Sequence, residues 1–159
     1  GFADGRGLVA ALALGAQGIQ MGTRFVCATE CIAHVNFKQK IVAAKDRDTT
    51  VSGYTTGHPV RTLENRMSRQ FQAMEKDGTS IEELEKFGEG KLRLAVIEWD
   101  MESGSFMAGQ IAGLVGDIKP ARQIILDIMA EAEAIIARLP QYVRSLEAPS
   151  LHSGQALRG

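Results

Sequence analysis

Two glycine-bearing loops, each placed where a strand would hand over to a helix, lie within the first 25 residues and restrict the fold more than any other feature. Gly1 to Ala3 reads as the end of a strand, Asp4 as an N-cap, and Gly7 to Leu14 as a short Ala- and Leu-rich helix closed by Gly15 at the C′ position. Gly18-Ile19-Gln20-Met21-Gly22 then reads as a short buried strand, with a new helical start at Thr23. Strand, loop, helix, repeated, is the unit of parallel α/β folds. Backbone N–H groups at a helix N-terminus are unpaired, and the helix dipole there favours negative charge. The loops Gly1-Phe2-Ala3-Asp4-Gly5 and Met21-Gly22-Thr23-Arg24 therefore make a candidate anion site. In eight-stranded barrels the shared phosphate site is built by the loops after strands seven and eight, and a separation of about 20 residues is what one strand-helix repeat requires. Glycine also serves ordinary turns, so the pattern alone leaves both readings open.

Downstream the chain turns helical. Between Cys31 and Lys45 the apolar Ile32, Val35, Ile41 and Val42 mix with Lys38, Lys40 and Lys45, as on a one-sided surface helix. Asp46 to Pro59 is polar, β-branched and glycine-punctuated, which predicts an extended excursion of the lid or binding-loop kind. Helical patterning resumes from Arg61 to Lys76 and breaks at Asp77-Gly78. Ser80 with Glu83 is a capping box for a helix ending near Gly88, and a further helix spans Lys91 to Glu98 before the Asp100–Ser105 turn. Met107-Ala-Gly-Gln-Ile-Ala-Gly-Leu114 is rich in small residues that let a backbone or flat ligand approach. The last helix starts at Pro120, carries Ile124, Ile125, Ile128, Met129, Ala132, Ile135, Ile136 and Leu139 on one face, and is expected to end at Pro140. A polar, mobile tail is expected from Arg144. Two core strands and six or seven helices are too few strands for a self-contained α/β domain.

Composition narrows the function classes. With 45% hydrophobic and 23% charged residues the chain fits a globular protein, and 18 basic against 19 acidic residues give no electrostatic footprint for nucleic acid. The longest apolar run, Leu8 to Leu14, is far short of the roughly 20 residues that span a bilayer, so no membrane association and a cytoplasmic setting are expected. Cys27 and Cys31, four apart in what reads as a helical stretch, lack further thiol partners and are expected to be reduced thiols rather than a metal site. No metal is expected.

Residues 1–25, Gly-Phe-Ala-Asp-Gly-Arg-Gly-Leu-Val-Ala-Ala-Leu-Ala-Leu-Gly-Ala-Gln-Gly-Ile-Gln-Met-Gly-Thr-Arg-Phe, strongly resemble the FMN-phosphate region of the nitronate monooxygenase (2-nitropropane dioxygenase) family, which includes the FMN-dependent enoyl-acyl-carrier-protein reductases. The resemblance continues through His34-Val-Asn-Phe-Lys-Gln-Lys, Asp48-Thr-Thr-Val-Ser-Gly, Gly57-His-Pro-Val-Arg61 with Asn65, and Met107 to Leu114, and covers about residues 1–143. It implies an α/β fold, the C-terminal part of a TIM (β/α)8 barrel comprising its last two βα units, with an appended helical cap. Residues 1–30 would be the end of the FMN-binding barrel, 31–115 a helical and loop cap contributing to the active site, 116–143 a C-terminal helix, and 144–159 a flexible tail.

The same resemblance implies that the backbones of Gly1, Phe2 and Ala3 and of Met21, Gly22 and Thr23 hold the FMN phosphate, with the Thr23 hydroxyl available for one further bond. Gly109 and Gln110 become candidates for active-site lining and Met107 for a pocket wall, a core role being equally open. His58 and Arg61, two residues past Pro59, are candidates to bind a pyridine-nucleotide phosphate or a substrate carboxylate, the alternative being that they hold the loop in shape. The catalytic His implied by the resemblance belongs to an earlier barrel strand; His34 and His152 read as surface residues. Asp4 and Arg6 read as a cap and a surface pair.

Functionally, the resemblance implies an FMN-dependent oxidoreductase. In the enoyl reductase version, a step of fatty acid synthesis, NAD(P)H is the reductant and an acyl thioester, possibly on acyl carrier protein, the substrate. The other version is a monooxygenase that oxidises alkyl nitronates with O2. The Gly57–Arg61 and Met107–Leu114 segments look more like the reductase branch. A homodimer of the full-length enzyme is a further expectation. A non-catalytic phosphate-binding or helical interaction module is the alternative from another class. Residue 1 is Gly, and the first loop has no strand in front of it, so the sequence is expected to begin inside a longer fold and the 159-residue chain alone to be inactive and dependent on further chain.

Overall fold

The structure, a computed structural model, describes the backbone of residues 1–145 and the side chains of residues 1–142. Helix α1 (Gly5–Ala13) starts where the sequence provides a cap: the Asp4 carboxylate accepts from the Gly7 N–H at 3.1 Å, and Gly15, at φ 92°, closes the helix as its left-handed residue. Helix α2 (Thr23–Val26) is one turn long and starts at Gly22, and α3 (Val35–Ala43) is capped by the His34 imidazole. Strands β1 (Thr49–Ser52) and β2 (Val60–Leu63) form an antiparallel hairpin with Thr49 opposite Leu63 and Ser52 opposite Val60. Helices α4 (Arg66–Lys76), α5 (Ile81–Gly88) and α6 (Lys91–Val96) follow, then a 3-10 turn at Gln110–Leu114 and the long α7 (Ala121–Ser145).

This order corrects several expectations. Gly1–Ala3 and Gly18–Gly22 lead into helices as expected but are not strands: among the described residues no chain lies alongside them to complete a hydrogen-bond ladder. The two strands present are instead in the 46–63 segment, and they are antiparallel. The helix expected from Arg61 begins at Arg66, because Val60–Leu63 pairs with Thr49–Ser52 and Asn65 supplies a capping box with Ser68. Cys27 and Cys31 do not share a helix; Cys27 ends α2 and Cys31 lies in the bend that follows. Helix α7 runs through Pro140 to Ser145. The carbonyl of Ile136 loses its partner there, but Ile136 is 50% exposed, so water can replace the missing donor. The tail beyond Ser145, with His152, lies outside the described residues.

Helix α1 packs along α7, with Leu8, Ile124, Ile128 and Ala132 buried between them. Each buried large aliphatic contributes about 1.5–3 kcal/mol. Gly5 makes this approach possible, since a Cβ there would lie 2.6 Å from the Ala132 nitrogen. The main core gathers Cys27, Phe37, Ile41, Leu63, Phe106 and Val115, and a smaller one sits between α4 and α5 around Met67, Phe71 and Leu84. Residues 105–108 add a third line to the hairpin: Leu63 donates to the Phe106 carbonyl at 2.8 Å and Ala108 to the Arg61 carbonyl at 3.1 Å. Among the described residues no helix is long and apolar enough to cross a membrane.

Candidate phosphate-binding site

The two glycine loops and the Met107–Leu114 segment come together. Thr23 is 8% exposed, and its hydroxyl accepts a hydrogen bond from the Gly109 N–H at 2.9 Å, across 86 residues of sequence. At the other loop, a Cβ built on Gly1 would lie 3.4 Å from Ile111 Cγ2. One short stretch, Gly109–Ile111, thus touches both loops.

Hydrogen-bond supply matches an anion. Among the described residues the N–H groups of Phe2, Ala3, Met21, Gly22, Thr23 and Arg24 have no partner. A Cβ on Gly22 would meet nothing within 4 Å, so the second loop faces open space on that side. The Thr23 oxygen is occupied as an acceptor while its proton stays available to donate. Helix α2 is too short for a strong dipole; the free amides carry the site.

Behind the loops a charged network fixes the second one. Arg24, 7% exposed, donates to the Asp117 carbonyl at 3.0 Å and to its carboxylate, while Lys119 bridges Asp117 at 2.9 Å and Asp127 at 2.7 Å. Partial burial acts to raise the Asp117 pKa, but the Lys119 hydrogen bond and Arg24 outweigh it and hold the carboxyl below its ordinary range. Residues 27–29 pair in parallel with 119, Thr29 donating to the Lys119 carbonyl at 3.0 Å. The cavity of about 200 Å³ beside this network is lined by Asp4, Asp117, Asp127 and Glu131 against Arg24 and Lys119. Four carboxylates repel a phosphate, so the anion belongs on the loops and not in this cavity. Lys38, 6% exposed, inserts its ammonium among the carbonyls of Ala28 (2.6 Å), Cys31 (2.8 Å) and Thr29 (3.4 Å) and pins the chain that leaves α2. Neither Lys38 nor Arg24 stood out in the sequence, because nothing local marks a long cation as buried.

The other site expectations divide. Met107, Gly109 and Gln110 are contiguous, with Met107 and Gln110 exposed. His58 lines a cavity with Met107. Arg61 does not join His58: its guanidinium turns to the Thr49 hydroxyl at 3.1 Å, and strand alternation sends residue 61 to the face opposite Val60 and Thr62. A His58–Arg61 pair for one anion is therefore not formed. Asp4 and Arg6 form the expected cap and surface pair. His34 caps α3 and stacks on Trp99 at 5.6 Å. Both cysteines are free thiols, and burial pushes the Cys27 pKa up to about 11. No cluster of three or more His, Cys, Asp or Glu suited to a metal occurs among the described residues.

Residues 1–131 match the family described as nitronate monooxygenase. The chain belongs to that family. It is 48% identical to FabK from Thermotoga maritima, whose solved structure it matches with a TM-score of 0.84 over 89% of this chain and 45% of that one. It is 31% identical to a nitronate monooxygenase of Paraburkholderia phytofirmans over 89% of this chain and 39% of the relative. It is 30% identical to (3aS,4S,5R,7aS)-5-hydroxy-7a-methyl-1-oxo-octahydro-1H-indene-4-carboxyl-CoA dehydrogenase of Rhodococcus jostii, over 83% of this chain and 48% of the relative. The chain thus spans about half the length, or less, of these relatives.

Proposed function

We propose that this chain provides the FMN-phosphate grip of a flavin-dependent oxidoreductase, formed where the end of a (β/α)8 barrel meets its helical cap. The observation that carries this reading is the convergence of Gly109–Ile111 on both glycine loops, with the loop amides unpaired and the Thr23 proton free. Phe2, Ala3, Met21, Gly22 and Thr23 would donate to the phosphate, with Gly1 beside Ile111 at the start of the first loop. Gly109 and Gln110, held against Thr23, would line the space beside the ring, with Met107 at its edge. Residues 1–30 and 116–143 would belong to the barrel and 31–115 to the cap.

Of the two activities in the family we favour the enoyl-thioester reductase. FMN, when bound, would supply the redox chemistry between NAD(P)H and the enoyl thioester, a net transfer of hydride and proton to the C=C bond. The chain's own part is to bind and orient: amides on the phosphate, Gly109 giving room to a flat ring, and Met107 and the hairpin limiting water. The catalytic acid would come from an earlier barrel strand; of the described histidines, His34 caps α3 and His58 lies on the hairpin loop. The resemblance of Gly57–Arg61 and Met107–Leu114 to the reductase branch supports this choice. Steady-state assays decide it: NADH oxidation dependent on a crotonyl thioester is expected, and oxygen uptake with an alkyl nitronate without NADH would overturn it. A colourless, folded full-length protein after FMN addition would overturn the flavin reading itself.

A further inference from the structure

Helix α4 grips the backbone of the hairpin with two half-buried side chains, Gln72 and Glu75, which three-residue spacing places on one side of the helix. Gln72 holds the strand: its amide donates to the Thr50 hydroxyl at 2.6 Å and to the Val51 carbonyl at 2.8 Å. Glu75 reaches further, to the turn. One of its carboxylate oxygens accepts from the Gly53 N–H at 3.1 Å and the other from the Thr55 N–H at 3.0 Å. A carboxylate suits this task because both of its oxygens accept and neither carries a proton.

The turn passes this grip on to His58. Gly53 is buried at φ 87°, and a Cβ there would lie 2.5 Å from the His58 carbonyl oxygen. The Gly53 carbonyl in turn accepts from the His58 N–H at 3.1 Å and from the Thr56 hydroxyl at 3.0 Å. Among the described residues the exposed His58 imidazole has no hydrogen-bond partner, so the backbone of the turn sets where it stands. His58 and Met107 border one cavity. From Met107 the chain continues into the loop contacts, Ala108 donating to the Arg61 carbonyl at 3.1 Å and Gly109 to the Thr23 hydroxyl at 2.9 Å. The side chains beside His58 and Met107, those of Val60, Met67, Phe71 and Leu92, carry no charge, which suits an acyl group better than a nucleotide phosphate.

We infer that Glu75 is a positioning residue for the acyl thioester: by clamping the turn at Gly53 and Thr55 it holds His58 beside Met107 and so sets substrate affinity, touching neither substrate nor flavin. The inference rests on the reductase reading, which puts Met107 at the edge of the ring space. A turn already held in one arrangement need not be ordered when substrate binds, whereas a freed turn lowers the apparent affinity by the fraction of time it is in place. The clamp serves bound substrate and transition state alike, so its loss raises KM and spares kcat.

The test compares Glu75→Gln with Gln72→Ala in the full-length, FMN-loaded enzyme. Gln keeps the size of the side chain but turns one acceptor into a donor facing an N–H. E75Q should raise the KM for a crotonyl thioester about three- to tenfold, with kcat, the KM for NADH and FMN affinity within about twofold of wild type. Its Gly53 and Thr55 amides should exchange with deuterium at least about fivefold faster. Q72A loosens β1 and leaves the turn clamped, so its Tm should fall while the crotonyl-thioester KM stays that of wild type. An unchanged KM or unchanged exchange in E75Q overturns the inference. So does an equal rise of KM in Q72A, since any loosening of the hairpin would then suffice. Gly53→Ala, whose Cβ displaces the His58 carbonyl with Glu75 intact, gives the second reading should E75Q fail to fold: a raised KM is expected, and an unchanged one overturns the inference. Failure of the underlying reading looks different: a colourless protein, or a yellow one without activity on the crotonyl thioester, overturns that reading and this inference with it.

Discussion

Replacing Thr23 by Val separates the phosphate grip from every other role of the second loop. The hydroxyl is 8% exposed, accepts from Gly109 at 2.9 Å, and has its proton free for a phosphate oxygen. Val matches its shape and removes both bonds. A hydrogen bond to a charged group contributes about 1.5–3 kcal/mol, so FMN affinity should fall roughly 10- to 150-fold. The Gly109 N–H, left without an acceptor, should lower stability by about 1–3 kcal/mol. Thr23→Ser keeps both bonds and should bind FMN within a few-fold of wild type. The assay is fluorescence titration with FMN and, separately, with riboflavin, which lacks the phosphate. If Thr23 meets the phosphate, T23V narrows the FMN-over-riboflavin preference by about the same factor as its loss of FMN affinity. A preference unchanged from wild type would refute the reasoning, since the hydroxyl would then serve Gly109 alone.

Three further outcomes follow from groups around the site. Lys38→Met should cost about 3 kcal/mol, on the order of 6–12 °C in Tm, because two short bonds from a buried ammonium to the Ala28 and Cys31 carbonyls vanish; an unchanged melt would show that water replaces them. Cys31, half-buried, should be alkylated well before Cys27 at pH 8, where a thiol with a pKa of about 11 is almost wholly protonated; equal rates by mass spectrometry would contradict that placement. Asp117, whose folded pKa is depressed, stabilises the fold above its unfolded value and loses that contribution as pH falls through the lower folded one. Asp117→Asn should therefore be less stable than wild type at neutral pH, with the gap closing below the ordinary carboxylate range; a gap independent of pH would show that the Arg24 and Lys119 pairings contribute nothing.

What could be read in the sequence was what short-range chemistry decides. Asp4 and Gly15 bracket α1, and Ser80 with Glu83 starts α5, because each cap satisfies backbone groups within its own turn. Asn65 was an equally local signal for the start of α4, yet the polar run from Arg61 hid the change from strand to helix; its side chain also ties that helix to the Met101 and Gly104 carbonyls at 2.9 and 2.8 Å. Strand character at Gly18–Gly22 depends on a partner that local sequence does not contain. The glycine loops were visible as motifs, whereas their meeting at Gly109–Ile111 joins residues almost ninety positions apart.

The central claim is that the two glycine loops hold a phosphate. Diffraction from crystals of the full chain saturated with FMN tests it most directly. The phosphate oxygens are expected at about 3 Å from N–H groups of both loops, those of Phe2 or Ala3 on one side and of Gly22 and Thr23 on the other, with the Thr23 hydroxyl donating. A phosphate seated elsewhere, leaving those amides unengaged, would contradict it.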